Sequence, residues 1–384
     1  VDFTENPAVT AAAHQARIEQ GRLATLRWLD RMQHLGAVQG VSRISAAQDA
    51  AAWPGVLLPG TYNAVLARAL LGDLDRWSPR DRVALAQWLR AHRRPDGVFR
   101  VPGMTDATVH KKPDLDETWR YIDFHVTNYS LGALEMLDPA GTPVLDFVEP
   151  WLEPMRLKAW LADRDLRDPW QEGNNIVNLG SFLLLRARHC GAVERMRIDA
   201  CLRILFDWHD RLQEPSTGFW GVGQASDPER ALHAMAGSMH NFHLWYACGR
   251  ALDFQDRAVD WALAQPAAVH SACIDVDLVD LLVHAHALLD YRRADIEHWL
   301  LTLLPRLLDL QLPDGGFPDV ASGVRRQDGW VGGYVEPQGL SNTFSTWFRW
   351  IAIAMIADLL WPGRWPWRFR SMIGIGYRRP GAPT

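Results

Sequence analysis

The chain has 384 residues, 48% hydrophobic and 22% charged, which is enough apolar material for a large core and too much for a disordered chain. Lys and Arg total 40 against 45 Asp and Glu, a net charge of −5 with no long basic run, which argues against a nucleic-acid partner. The four cysteines, Cys190, Cys201, Cys248 and Cys273, show no CxxC spacing, so neither a disulfide framework nor a thiolate zinc site is written here. Nineteen tryptophans fit either a thick aromatic core or cavity walls that stack on flat ligands.

Helical periodicity marks about twelve amphipathic segments, near 8–34, 60–73, 79–93, 124–138, 144–165, 173–189, 192–212, 231–250, 255–265, 276–291, 294–311 and 340–360. Almost no alternating pattern is present, so the expected class is all-α. Ser78, Pro79 and Asp81 give the third segment a capping box. The longest apolar run, Trp350 to Trp361, is interrupted by Asp358 and is short of the ~20 residues of a membrane span. No transmembrane segment is expected. The chain opens Val1-Asp2-Phe3 without an apolar leader; a cytoplasmic location is the default, and a leader removed earlier stays open.

Two features recur. Arg94-Pro95-Asp96-Gly97-Val98-Phe99, Pro215-Ser216-Thr217-Gly218-Phe219-Trp220 and Pro313-Asp314-Gly315-Gly316-Phe317 each follow a helix and join turn chemistry to an aromatic that folds back. Polar clusters open alternate helices: Thr61-Tyr62-Asn63; Asp123, His125 and Asn128; Asn174, Asn175 and Asn178; His240, Asn241 and His243; Asp275, Asp277 and Asp280; Ser341-Asn342-Thr343. Their spacing leaves room for one helix out and one back. Twelve helices then pair into six hairpins, with nearly all-apolar helices inside and Arg-rich ones, such as 79–93 and 192–212, outside. The predicted fold is an (α/α)6 toroid, a single domain over 1–384, whose six polar clusters meet at one mouth. Residues 361–384 form an irregular Trp/Arg-rich tail, whose prolines Pro362 and Pro366 forbid a regular helix; it is expected to pack across the outside.

With Gln311-Leu312-Pro313-Asp314-Gly315-Gly316-Phe317, and more loosely Gln213 to Trp220, the chain resembles bacterial proteins with prenyltransferase and squalene-cyclase type repeats. The resemblance implies an α/α toroid. The isoprenoid cyclases of that superfamily carry a D-x-D-D acid motif, of which Asp275-Val276-Asp277-Leu278 keeps only three positions. Its protein prenyltransferases hold zinc with Asp, Cys and His; the loose analogue is Cys273, Asp275 and His240, in another local order, so no metal and no cofactor is expected.

Asp277 and Asp280 share a helix face with His284, where two buried acids can yield one proton donor. A plain Asp280–His284 pair reads equally well. Asp275 is expected as a helix N-cap. Asp123 with His125, and His240 with His243, are candidate acids and bases, although a capping or core His is the plainer reading. Trp170 to Asn175 and Gly332 to Gln338, with Tyr334 and Glu336, read as rim loops able to stack and bond a sugar. The sequon Asn128-Tyr129-Ser130 falls in a buried helix and is set aside.

The expected activity is that of a carbohydrate-active enzyme, a glycoside hydrolase or polysaccharide lyase. Its catalytic candidates are Asp277, Asp280, His243, Glu336, Asp123 and His125. Asn128, Trp170, Asn174, Asn175, Asn178, His240, Asn241, His284, Tyr334 and Asn342 would bind the oligosaccharide. The alternatives are an isoprenoid cyclase and a non-catalytic glycan- or protein-binding toroid; the oligomeric state is left open.

Overall fold

The computed structural model describes residues 7–378 except 37, 108, 110–114, 165, 224–226, 321–333, 335, 337 and 338. It holds twelve α-helices: α1 (Pro7–Met32), α2 (Leu57–Leu70), α3 (Pro79–Arg90), α4 (Leu115–Leu137), α5 (Pro154–Ala162), α6 (Pro169–Ala187), α7 (Ala192–Leu212), α8 (Pro228–Cys248), α9 (Gln255–Ala264), α10 (Ala272–Leu288), α11 (Arg293–Leu308) and α12 (Thr343–Leu360). No strand occurs among the described residues; the protein is all-α.

Six helix starts, those of α3, α5, α6, α8, α10 and α12, follow from side-chain capping. Ser78 accepts from the Asp81 amide at 3.1 Å, as the capping box predicts. Asp168 and Asp227 cap α6 and α8, each followed by a proline that has no amide to leave unpaired. Segment 144–165 departs from expectation. Pro150 and Pro154 cannot donate within a continuous helix, so a 3-10 turn, Asp146–Leu152, precedes a short α5 capped by Glu153. The cap of α10 is Ser271, not Asp275.

The even-numbered helices touch in a closed cycle: α2 on α4, α4 on α6, α6 on α8, α8 on α10, α10 on α12, and α12 back on α2. All six are buried over most of their length, while the odd-numbered helices each keep an exposed face, α3 and α7 included. α6 and α8 approach most closely. A Cβ on Gly173 would lie 2.6 Å from the Gly237 carbonyl, and one on Gly180 would lie 2.7 Å from Leu244. Alanine at Gly173 would force the two helices apart.

The repeated turns act as pins. The Phe99, Trp220 and Phe317 amides each donate to a hydroxyl on the next even-numbered helix, Thr127, Ser238 and Thr346, at 2.9 Å. Ser42 does the same to Thr61 at 3.0 Å. Gln213 and Gln311 brace their turns by donating to the Gly218 and Gly315 carbonyls, at 2.8 and 2.9 Å. Each turn aromatic is buried, so one short motif supplies an apolar anchor and a directional bond together.

α12 is the one helix among the described residues long and apolar enough to cross a membrane, and 89% of it is buried inside the protein, as in a core helix. Its Arg349 is fully buried against Asp275 of α10, and its Asp358 pairs with Arg378.

The tail departs from the sequence expectation. Trp365 reaches Glu19 of α1 at 3.1 Å and the Arg368 amide donates to Leu70 of α2, which lays this stretch across the helix ends as expected. Residues 370–377 then turn inward. Arg370 donates to the Asn128 side-chain oxygen at 2.7 Å, and the Ile373 carbonyl accepts from Asn128 and Ser181 at 3.1 and 3.0 Å. Gly374 and Gly376 have φ of 138° and 78°, and a Cβ on Gly374 would lie 2.8 Å from Asn128. A tail of small and apolar residues fits among the cyclic helices because its backbone carbonyls find donors there. Residues 379–384 lie outside the described part.

His209 of α7 donates from Nδ1 to the Leu205 carbonyl at 2.9 Å and is enclosed by the rings of Trp208, Trp220 and Trp245. Burial pushes its imidazole down to about 4, with its hydrogen bonds opposing. The native ring therefore stays neutral while the unfolded one protonates near 6.5. This contribution is complete above pH 6.5 and lost as the pH falls to about 4, a change of about 3 kcal/mol. Urea unfolding at stepped pH should show that acid-side loss, and His209→Phe should flatten it.

Candidate functional site

α8 and α10 run parallel, because His240 meets Asp277 and His243 meets Asp280 at the same residue offset. His240 Nε2 is 3.1 Å from Asp277 Oδ1, and His243 Nε2 is 2.8 Å from Asp280 Oδ1. His284, one turn beyond Asp280, places Nδ1 2.8 Å from the same Oδ1. All five are buried. The plain Asp280–His284 pair forms, and each of Asp277 and Asp280 also meets its own histidine of α8.

Burial raises Asp277 to about 6; His240 opposes this and Asp280 adds to it. Burial also acts against ionised Asp280, but His243 and His284 outweigh it and hold the carboxyl well below its usual range. His243 is itself lowered by burial, with Asp280 opposing. These directions agree when Asp280 is the anion and His243 a neutral donor to it, since a neutral imidazole still offers one N–H.

Other candidates lie elsewhere. Asp123 takes the Arg100 guanidinium at 2.9 Å, while His125 lies 2.7 Å from the Tyr121 carbonyl through Nδ1. Asp123 and His125, two residues apart on one helix, point to different faces. Asn174 donates to Trp170 and Asn241 to Gly173 and Gly237, so both bind backbone, and Asn128 binds the tail. Trp170 packs on His233 with ring centroids 5.3 Å apart. Asn178 is buried on α6, and Asn342 caps α12 through the Ser345 amide at 2.7 Å. Tyr334 donates to Glu336 at 3.4 Å and meets Trp53 edge-on. Burial lifts Glu336 to about 7, against the pull of Ser45 and Tyr334. Of the expected rim loop 332–338, residues 332, 333, 335, 337 and 338 lie outside the described part.

The polar clusters are also deeper than expected. α4 and α6 begin at Leu115 and Pro169, earlier than the periodicity suggests, so Asp123, Asn128 and Asn178 sit in mid-helix; His240 and His243 lie in the second half of α8. The picture of six hydrophilic first turns is corrected accordingly. Asp275 is corrected as well: it pairs with Arg349 and accepts from the His270 amide at 2.9 Å.

Buried polar atoms without a protein partner occur on all six cyclic helices. They include Tyr62 Oη and both amide atoms of Asn63 on α2, Ser130 Oγ on α4, both amide atoms of Asn175 on α6 and His243 Nδ1 on α8. Asp277 Oδ2, Asp280 Oδ2 and His284 Nε2 add to these on α10, and Ser345 Oγ on α12. Such groups are costly to leave unpaired, and most of those found among the described residues lie on the even-numbered helices.

A cleft of about 440 Å³ elsewhere in the protein holds none of these groups. It lies between α4 and the tail, lined among others by Arg90, Arg188, Phe369 and Met372. Arg90 and Arg188 are engaged by Asp138 and Glu135 there, so the unpaired chemistry lies with the buried cluster. Arg349, Arg370 and Tyr377 are not among the residues expected from the sequence. A lone Arg in the most apolar helix, and two glycines spaced through the tail, were the available signals. Tyr377 stands 5.2 Å from His243 and lies parallel to His284 at 6.3 Å.

No protein family and no curated protein matches the chain.

Burial lowers Arg370 to about 10, so it remains a cation at neutral pH and holds the tail to Asn128. Arg370→Leu would strand the Asn128 and Ile375 oxygens. It should cost about 2–4 kcal/mol in chemical unfolding.

Proposed function

We propose that the chain is an enzyme built as a single-domain (α/α)6 toroid, of the kind carrying prenyltransferase and squalene-cyclase type repeats, that binds a sugar or sugar chain and cleaves it by acid and base catalysis. The cyclic contacts of the even-numbered helices and the repeated Gln-braced turns support the architecture.

One observation carries the substrate class. Asn63 and Asn175 are 1% and 0% exposed, and neither end of either amide has a protein partner. An amide that must both donate and accept is matched by hydroxyls, which do both. A polyene would leave each amide unpaired, at about 1–3 kcal/mol per group. In the hydrolase form of the reading, Asp277 donates a proton from Oδ2 to the leaving oxygen, steadied by His240, and Glu336 is the second carboxyl. In the lyase form, His243 or Tyr334 removes the proton α to a uronate carboxyl, the electron pair forms a C=C bond, the glycosidic C–O bond at the β carbon breaks, and the leaving oxygen takes up a proton.

The aromatic contacts Tyr62–Tyr129 and Tyr129–Trp347, at 5.6 and 5.4 Å, favour the second reading, an isoprenoid cyclase. Incubation with neutral and uronate-containing oligosaccharides, and separately with a prenyl diphosphate, discriminates among these readings. Reducing ends mark hydrolysis, ultraviolet-absorbing products mark elimination, and hydrocarbon products mark cyclisation. Asp277→Asn should lower kcat on the sugar about 10²–10⁴-fold with binding retained. Asn175→Leu should weaken sugar binding while leaving the fold as stable or more so, since it removes an unpaired buried amide. Binding without turnover in the unmodified protein would instead identify a glycan-binding toroid, and turnover of the prenyl diphosphate alone would overturn the sugar reading.

A further inference from the structure

We infer that His243, Asp280 and His284 form a binding site for one divalent transition-metal ion. The ligand atoms of the three residues all lie within 4.8 Å of one another, and all three residues are buried. α8 supplies one imidazole; α10 supplies the carboxylate and, one turn on, the second imidazole.

The form of the contact argues for a cation rather than for a hydrogen-bonded triad alone. His243 Nε2 and His284 Nδ1 both approach Asp280 Oδ1 at 2.8 Å, while Oδ2, equally buried, has no partner. His284 Nδ1 also lies 3.0 Å from the Asp280 backbone carbonyl, the i, i+4 contact of a helical imidazole. Two imidazole nitrogens and a carboxylate oxygen within 4.8 Å of one another are a donor set that a metal takes up by displacing the protons of the two nitrogens. With metal–ligand bonds of about 2.1 Å, two ligand atoms 2.8 Å apart subtend about 84° at the ion, close to the right angle between neighbouring ligands of a six-coordinate centre. Three protein ligands would leave further coordination positions for water or substrate oxygens.

Two nitrogens and one carboxylate oxygen suit zinc, manganese, iron or cobalt better than magnesium or calcium, which prefer all-oxygen sets. The rings are also held in place. His284 stacks with Tyr246 at 4.9 Å, 14° between planes, and with Tyr377 at 6.3 Å, 4° between planes, so the tail helps to orient a ligand. The inference differs from the Cys273, Asp275 and His240 set: Asp275 is already taken by the Arg349 cation, which would repel a metal.

The inference concerns the metal alone and holds whatever the substrate proves to be. The test uses the full chain without an affinity tag, stripped with a chelator, dialysed, and titrated separately with Co²⁺, Zn²⁺, Mn²⁺ and Mg²⁺. Expected are one equivalent of Co²⁺ with a visible absorption band reporting nitrogen ligation, displacement by Zn²⁺, a higher Tm with metal, and no binding of Mg²⁺ at the same concentration. His284→Ala and Asp280→Asn should weaken Co²⁺ binding at least about 100-fold while circular dichroism shows a helical fold, and Cys273→Ser should leave it unchanged. Should those two variants fail to fold, the absorption band and the Tm shift of the unmodified protein decide the matter. Absence of the Co²⁺ band, equal binding by folded His284→Ala protein, or loss of binding in Cys273→Ser would overturn the inference. A failed sugar assay would not touch it, and a failed metal titration would leave the sugar reading standing.

Discussion

A helix buried along both flanks by its neighbours has no water to turn its polar side chains toward, and this constraint organises the protein. Every polar group on the six cyclic helices must find another such group, a backbone atom or a bound molecule. Arg349 shows the constraint at its strongest: fully buried in the most apolar helix, it is held by Asp275 and by the Asp319 carbonyl at 2.6 Å. Removing either charge of such a pair leaves the other uncompensated, which costs far more than the pair contributes. The His240–Asp277 and His243–Asp280 contacts obey the same rule one helix away.

The same need explains the connecting segments. A turn that ends on an aromatic residue must bury the ring and pair the amide beside it, and a Thr or Ser on the neighbouring helix does the second task each time. Gln213 and Gln311 close the turns from the helix side. The tail is a further case. Its carbonyls enter buried space because Asn128, Ser181 and Arg370 supply donors, and the Glu135 carboxylate opposes the burial that lowers Arg370.

The two histidine–aspartate rungs differ in their consequences. Asp277 has one imidazole and a neighbouring carboxylate, so burial dominates and its proton is retained into the mildly acidic range. Asp280 has two imidazoles, which overcome the same burial. Carboxyls three residues apart in one helix are thus driven in opposite directions: α8 gives each one imidazole, and α10 itself adds a second, His284, to Asp280 alone. Such divergence of two neighbouring acids is the usual physical basis for dividing donor and acceptor roles.

Periodicity and turn chemistry, both local, were enough to read the all-α class, the twelve helices, the Ser78 capping box and the kinship of the three turns. The shared face of Asp277, Asp280 and His284 was also legible, because helical spacing alone fixes it. What lay outside the sequence is what depends on the neighbouring helix: that Asp275 serves Arg349, that Asp123 turns to Arg100 while His125 turns to Tyr121, and that residues 370–377 run inward. Two helix starts also moved: α6 begins at its Asp168 cap and Pro169, and α4 gains a mostly half-exposed stretch, 115–121, ahead of its apolar run. Local sequence sets which side chains share a helix face; which face meets which is decided by packing, and with it the partner and the charge of every buried polar group.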